Sequence, residues 1–121
     1  MSMLPVIGRI GVGLPILMFG LMHMMNANDM AEMPPFGGVV MVYLTGILNI
    51  VVGLAFFSGK YLRQAGLLGA FLMLSYALGV HLPGMLSAGE NQQMMQMYMS
   101  GLLKDLGLMG GSLLVANLAK D

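Results

Sequence analysis

The sequence predicts an all-α integral membrane protein, an antiparallel bundle of four transmembrane helices, and three observations predict it. Residues 39–57 and 65–82 are long apolar runs without Asp, Glu, Lys or Arg. They are separated only by the basic hinge Ser58-Gly59-Lys60-Tyr61-Leu62-Arg63-Gln64. Runs of about 18–20 apolar residues match what a helix needs to cross the hydrocarbon core. A hinge this short makes the two helices antiparallel neighbours. Two further apolar runs flank the pair. Finally, 58% of the chain is hydrophobic and 8% charged, where a soluble domain carries about 25% charged residues. The missing charge leaves an outside that faces lipid.

A single transmembrane domain spanning residues 1–121 follows, with helices near 4–25, 39–57, 64–82 and 96–118. The first helix opens at Pro5, where a missing N–H costs little. It contains Pro15, which membrane helices tolerate and which usually kinks them. Arg9 is expected to snorkel to the near interface. No small-residue cleavage site follows it, so this helix is expected to serve as its own insertion signal. Residues 26–38 read as a loop, punctuated by Asn26, Asp29, Pro34-Pro35 and Gly37-Gly38. Pro83-Gly84 is expected to end the third helix. A second polar loop covers residues 87–93, and Lys120-Asp121 closes the chain.

Orientation follows from the placement of positive charge. Lys60 and Arg63 lie in the hinge, and Arg9 and Lys120 lie near the termini. The other two loops carry only Asp29, Glu32 and Glu90. Both termini and the hinge are expected in the cytoplasm, and the acidic loops outside.

Lipid tails give helices no hydrophobic reason to associate, so close packing must come from small residues. Thr45, Gly46, Asn49 and Gly53 stripe the second helix, Gly66 and Ala70 the third, Gly107 and Gly111 the fourth. These stripes are expected to face inward. One of them is an equally good seam for a homo-oligomer.

The candidate chemistry lies in the outer half. The first and third helices rise toward the outside and end near His23 and His81. The fourth descends past Lys104 and Asp105 within its first turns. Ionisable groups at membrane depth are costly and usually face the bundle interior. Lys104 shares a face with Gly107 and Gly111, which points it into the packed side. Lys104 and Asp105 are about 100° apart on a helix and are not natural partners, so Asp105 is expected to pair with His23 or His81. Three readings stand. The groups pin helices together; they form a site for a quinone headgroup, a proton or a small polar ligand; or Lys104 snorkels and the histidines lie at headgroup level. Asn49, alone at the middle of the second helix, is expected to hydrogen-bond across the bundle.

Methionine concentrates on the outer side: Met18, Met22, Met24, Met25, Met30 and Met33 around the first loop, and Met94, Met95, Met97 and Met99 opening the fourth helix. Thioethers suit Cu(I), but methionine is also a flexible filler of apolar pockets, and the pocket is the stronger reading. Neither histidine has a second at i+3 or i+4, so no zinc or haem site is signalled. The chain has no cysteine, which excludes disulfides and thiolate sites. Net charge is zero, and nothing points to nucleic acid. Nucleotide-binding loops, HExxH and GxSxG are absent. No acidic residue lies in the first three helices, which argues against an exporter built on a buried first-helix carboxylate.

Gly20-Leu21-Met22-His23-Met24-Met25-Asn26, then Met30-Ala31-Glu32-Met33-Pro34-Pro35, then Gly46-Ile47-Leu48-Asn49-Ile50-Val51-Val52-Gly53-Leu54-Ala55, resembles the DoxX family. These are small four-helix membrane proteins related to the DoxD subunit of thiosulfate:quinone oxidoreductase. The resemblance runs from about Arg9 to Ala116. Family members often carry glutamate where Asn49 stands, so a proton-handling role is not carried over to that position. The resemblance implies a four-helix bundle in the inner membrane and a quinone-linked redox association, without making this chain an enzyme by itself. On that expectation the chain is a membrane subunit that binds quinone near His23, His81, Lys104 and Asp105, with Asn49 beneath, and takes electrons from a partner protein. The alternatives are a non-enzymatic assembly, anchoring or small-ligand-binding protein and, behind both, a small transporter or a Cu(I)-handling protein.

Overall fold

The computed structural model describes residues 2–119, and within them the chain is helical with no strand. Lys120, one of the residues used for orientation, lies outside the described residues. The elements are α1 (Leu4–Met25), α2 (Gly38–Ser58), α3 (Leu62–Tyr76), a π turn (Ala77–His81), α4 (Leu82–Ser87) and α5 (Gln92–Ala116). Four stretches are long and apolar enough to cross a membrane: Leu4–Met25, Gly38–Ser58, Leu62–Ser87 and Gln92–Ala116.

The first two spans match the expected limits within a residue. The third does not. Pro83-Gly84 leaves the helix running to Ser87. A proline inside an α-helix lacks an N–H and strikes the carbonyl four residues back, here that of Gly79. The chain answers by widening: the Leu82 N–H bonds to the Ala77 carbonyl, five residues back. This π turn absorbs the proline that would otherwise end the helix. The fourth span begins at Gln92, earlier than expected. Asn91 caps it, its side-chain oxygen accepting from the Met94 N–H at 3.0 Å. An Asn before a run of Gln and Met is a helix start as much as a loop residue.

Arg9 does more than reach for an interface. Its guanidinium donates to the Phe56 and Phe57 carbonyls at 2.6 and 3.0 Å. It thereby satisfies carbonyls that the end of α2 leaves open, with its charge at the negative pole of that helix. Gly59 follows at φ 79°, a left-handed C-cap whose N–H bonds to the Ala55 carbonyl at 2.9 Å.

α1 packs most extensively on α2, and α3 on α5, while α2 meets α3 between the pairs. The core joins all four spans: Ile16, Val52, Phe56, Ala65, Leu72, Met73 and Val115. The small-residue stripes account for most of the close approach. A Cβ on Gly20 would lie 2.8 Å from the Gly46 carbonyl oxygen, and one on Gly66 would lie 2.6 Å from the Ser112 carbonyl oxygen. Gly53 rests on Leu17, and Gly111 on Val12. Gly107 departs from expectation, for nothing lies within 4 Å of its Cβ position. The face of α5 that packs on α3 carries Asp105, Ser112 and Ala116 instead.

Candidate functional site

Between the helix pairs lies a cavity of about 520 Å³. α1 contributes Phe19, Met22 and His23, and α2 contributes Met41, Val42, Leu44, Thr45 and Leu48. α3 adds Phe71, Leu72, Ser75 and Tyr76, the π turn adds Val80 and His81, and α5 adds Lys104. The α1–α2 loop closes over it with Met30, Met33, Pro34, Pro35 and Phe36. The walls are apolar, and a few polar side chains converge on them, which is the usual character of a small-ligand site.

The sequence-predicted residues gather here. His23, His81 and Lys104 line the cavity, and Asp105 lies behind them, fully buried. Asp105 Oδ2 takes the bond from His81 Nδ1. Of the two partners expected for Asp105, His81 is therefore the one it has. The reading that Lys104 and Asp105 would not meet is corrected: Lys104 Nζ lies 3.2 Å from Asp105 Oδ1. The lysine stem is long enough to fold back across the 100° between neighbouring residues, and an unpaired buried carboxylate oxygen is too costly to leave alone. The contact is an ion pair without hydrogen-bond alignment. Lys104 also sits over the Phe19 ring, 3.9 Å from its centroid, a cation–π contact.

His81 is held on several sides. Its ring lies against α5 at Gly101, where any Cβ would strike Cδ2 and Nε2. Tyr98 meets it edge-on at 6.4 Å, and the Tyr98 ring in turn occupies the space over Gly84. His23 is hydrogen-bonded at one ring nitrogen only, Nδ1, which donates to the Phe19 carbonyl at 2.6 Å. A carbonyl only accepts, so Nδ1 carries the hydrogen.

Asn49 is fully buried and does not line the cavity. Its amide donates across the bundle to the Tyr76 hydroxyl at 3.0 Å, as expected of a lone mid-helix amide. Thr45 stands beside the same phenol and donates to the Met41 carbonyl at 2.9 Å. The Tyr76 ring stands 5.7 Å from that of His23.

Sequence reasoning missed Tyr76, Phe19 and Gly101. Tyr76 had a signal: a phenol in an uncharged apolar run needs a partner, and so did Asn49. Gly101 had none, because a glycine that admits a ring looks like any other. Of the methionines around the first loop, Met22, Met30 and Met33 line the cavity, while Met18, Met24 and Met25 do not. Among the described residues no group of three or more His, Asp or Glu comes within metal-holding range.

Comparison with protein-family models, with curated proteins and with solved structures returns no match to this chain. The functional reading therefore rests on the site itself.

Proposed function

We propose that this chain is an antiparallel four-helix inner-membrane protein that holds a planar aromatic ligand, best a quinone headgroup, as the membrane subunit of a quinone-linked redox complex. Insertion is supported by the outward surface. Leu4, Val40 and Leu114 each expose more than two thirds of their area, along spans that carry almost no charge. Antiparallel order is supported by the short connections at residues 59–61 and 88–91. Orientation is supported by Arg9, Lys60 and Arg63 on one side and Asp29, Glu32 and Glu90 on the other. Both termini then lie in the cytoplasm, and the cavity opens in the outer half.

The observation that carries the reading is an apolar cavity with a cation and an imidazole at its wall. Methionine, proline and phenylalanine side chains pack against a ring, and Lys104 donates to a ring oxygen. With no cysteine in the chain, electrons come from a partner protein. The DoxX resemblance points the same way. The test is native purification followed by mass spectrometry of bound small molecules. A copurified quinone is expected, with retention falling in Lys104→Met while the helical circular dichroism is kept. A wild-type protein that neither retains nor rebinds quinone refutes the proposal.

A second reading, a non-enzymatic assembly or anchoring protein, is favoured by the ion pairs that tie Asp105 to His81 and Lys104. On that reading Lys104→Met unfolds the protein before it affects any ligand.

A further inference from the structure

An inventory of the cavity's hydrogen-bonding groups narrows the ligand. Most polar side chains at the wall already have partners. Ser75 donates to the Phe71 carbonyl at 2.8 Å. The Tyr76 oxygen accepts from Asn49 and has Thr45 beside it, and Thr45 donates to Met41. His81 gives Nδ1 to Asp105, and its Nε2, over Gly101 at the wall, has no hydrogen-bond partner among the described residues. Two further capacities lie beside Phe19, and they have opposite sense. His23 Nε2 has no partner among the described residues and is not sealed off in the interior. Because Nδ1 holds the hydrogen, Nε2 of the neutral ring is an acceptor. Lys104 has three N–H groups, and one carboxylate oxygen with one ring face leaves a donor over. Both flank Phe19, His23 through its carbonyl and Lys104 over its ring.

We infer that this cavity selects the hydroxyl form of its aromatic ligand, a phenol or hydroquinone, over the carbonyl form. This rests on the aromatic-ligand reading above and goes beyond it. One hydroxyl oxygen accepts from Lys104 and gives its hydrogen to His23 Nε2. A quinone oxygen also accepts from Lys104, but it has no hydrogen to give and leaves Nε2 unmatched. One hydrogen bond to this acceptor separates the two forms, worth about tenfold in affinity.

The experiment is a titration of the full-length detergent-solubilised protein with a short-chain benzoquinone and, separately and anaerobically, with its hydroquinone. The wild type is expected to bind the hydroquinone about tenfold more tightly. The preference should vanish in His23→Phe, which keeps the Cβ against Gly46 and a ring of similar size but removes the acceptor. Lys104→Met should weaken both forms. A second measurement does not depend on any variant: imidazole ¹⁵N resonances should show His23 as the Nδ1–H tautomer, with Nε2 moving when hydroquinone is added and not when quinone is. Equal affinities, tighter quinone binding, or an Nε2–H tautomer at His23 would overturn the selectivity and leave the site standing. Failure of both forms to bind would overturn the aromatic-ligand reading along with it.

Discussion

The two helix pairs that enclose the cavity are joined by opposite means. The α1–α2 seam is made by leaving side chains out. Gly13, Gly20, Gly46 and Gly53 bring backbone against side chain or backbone along the interface, and Arg9 closes only its end. The α3–α5 seam uses small residues too, at Gly66, Gly69 and Ala116, but it also buries Asp105 and Ser112 completely. A seam of glycines needs only a fit. A seam with a carboxylate needs partners, and these come from the π turn and from the neighbouring lysine. The contrast teaches where the molecule has room for chemistry: the dry seam positions His23, and the charged seam supplies a cation beside it.

The comparison breaks hardest at Asp105. Removing one member of a buried ionic cluster strands the others, so Asp105→Ala is expected to cost about 3–5 kcal/mol. Equilibrium unfolding in detergent by circular dichroism would measure it, and a loss below about 1 kcal/mol would mean that the cluster is not what joins α3 to α5. Next comes Gly20→Ala. Its new methyl meets the Gly46 carbonyl and the Ile50 amide, both backbone and unable to swing aside. Separation of α1 from α2 should cost about 2 kcal/mol; a thermal midpoint unchanged from wild type would count against the dry-seam account.

Arg9→Met is a smaller test. It withdraws two charge-assisted bonds at a half-buried position, for roughly 1 kcal/mol. The effect should be local, appearing as faster amide hydrogen exchange at the last turn of α2. If protection there is unaltered, the α2 carbonyls have other partners. The smallest effect is expected at Gly107→Ala. With no atom near the added methyl, the change should be neutral or stabilising by up to about 1 kcal/mol through helix propensity. A clear destabilisation, or a shift in mass by light scattering, would show that this face packs on a second copy of the chain.

The spans were legible because length and apolarity are written residue by residue, and α1 and α2 lie where the sequence puts them. The gathering of His23, His81, Lys104 and Asp105 was legible too, since the helix order expected from the sequence brings their depths together. What could not be read was rotation about the helix axes. Pro83 reads as a stop because sequence gives no sign that the preceding turn will widen. Lys104 reads as remote from Asp105 because helix geometry fixes Cβ directions and not the reach of a four-carbon stem. The apparent GxxxG of Gly107 and Gly111 splits, one glycine packed and the other open, for the same reason: the motif sets spacing, while neighbours decide which face is used.

The π turn has a consequence for descent. A wide turn fits one extra residue into nearly the rotation of a shorter α-helical stretch, because each of its residues advances by less than about 100°. A plain helix of the same length between Ala77 and His81 would turn the histidine away from the carboxylate, whereas a relative one residue shorter there would keep it on the same face. Such a relative would look nearly alike when written out, and the extra codon is taken up by the turn without losing the pairing. An alignment that runs through this point without a gap would match residues that do not share a place in space.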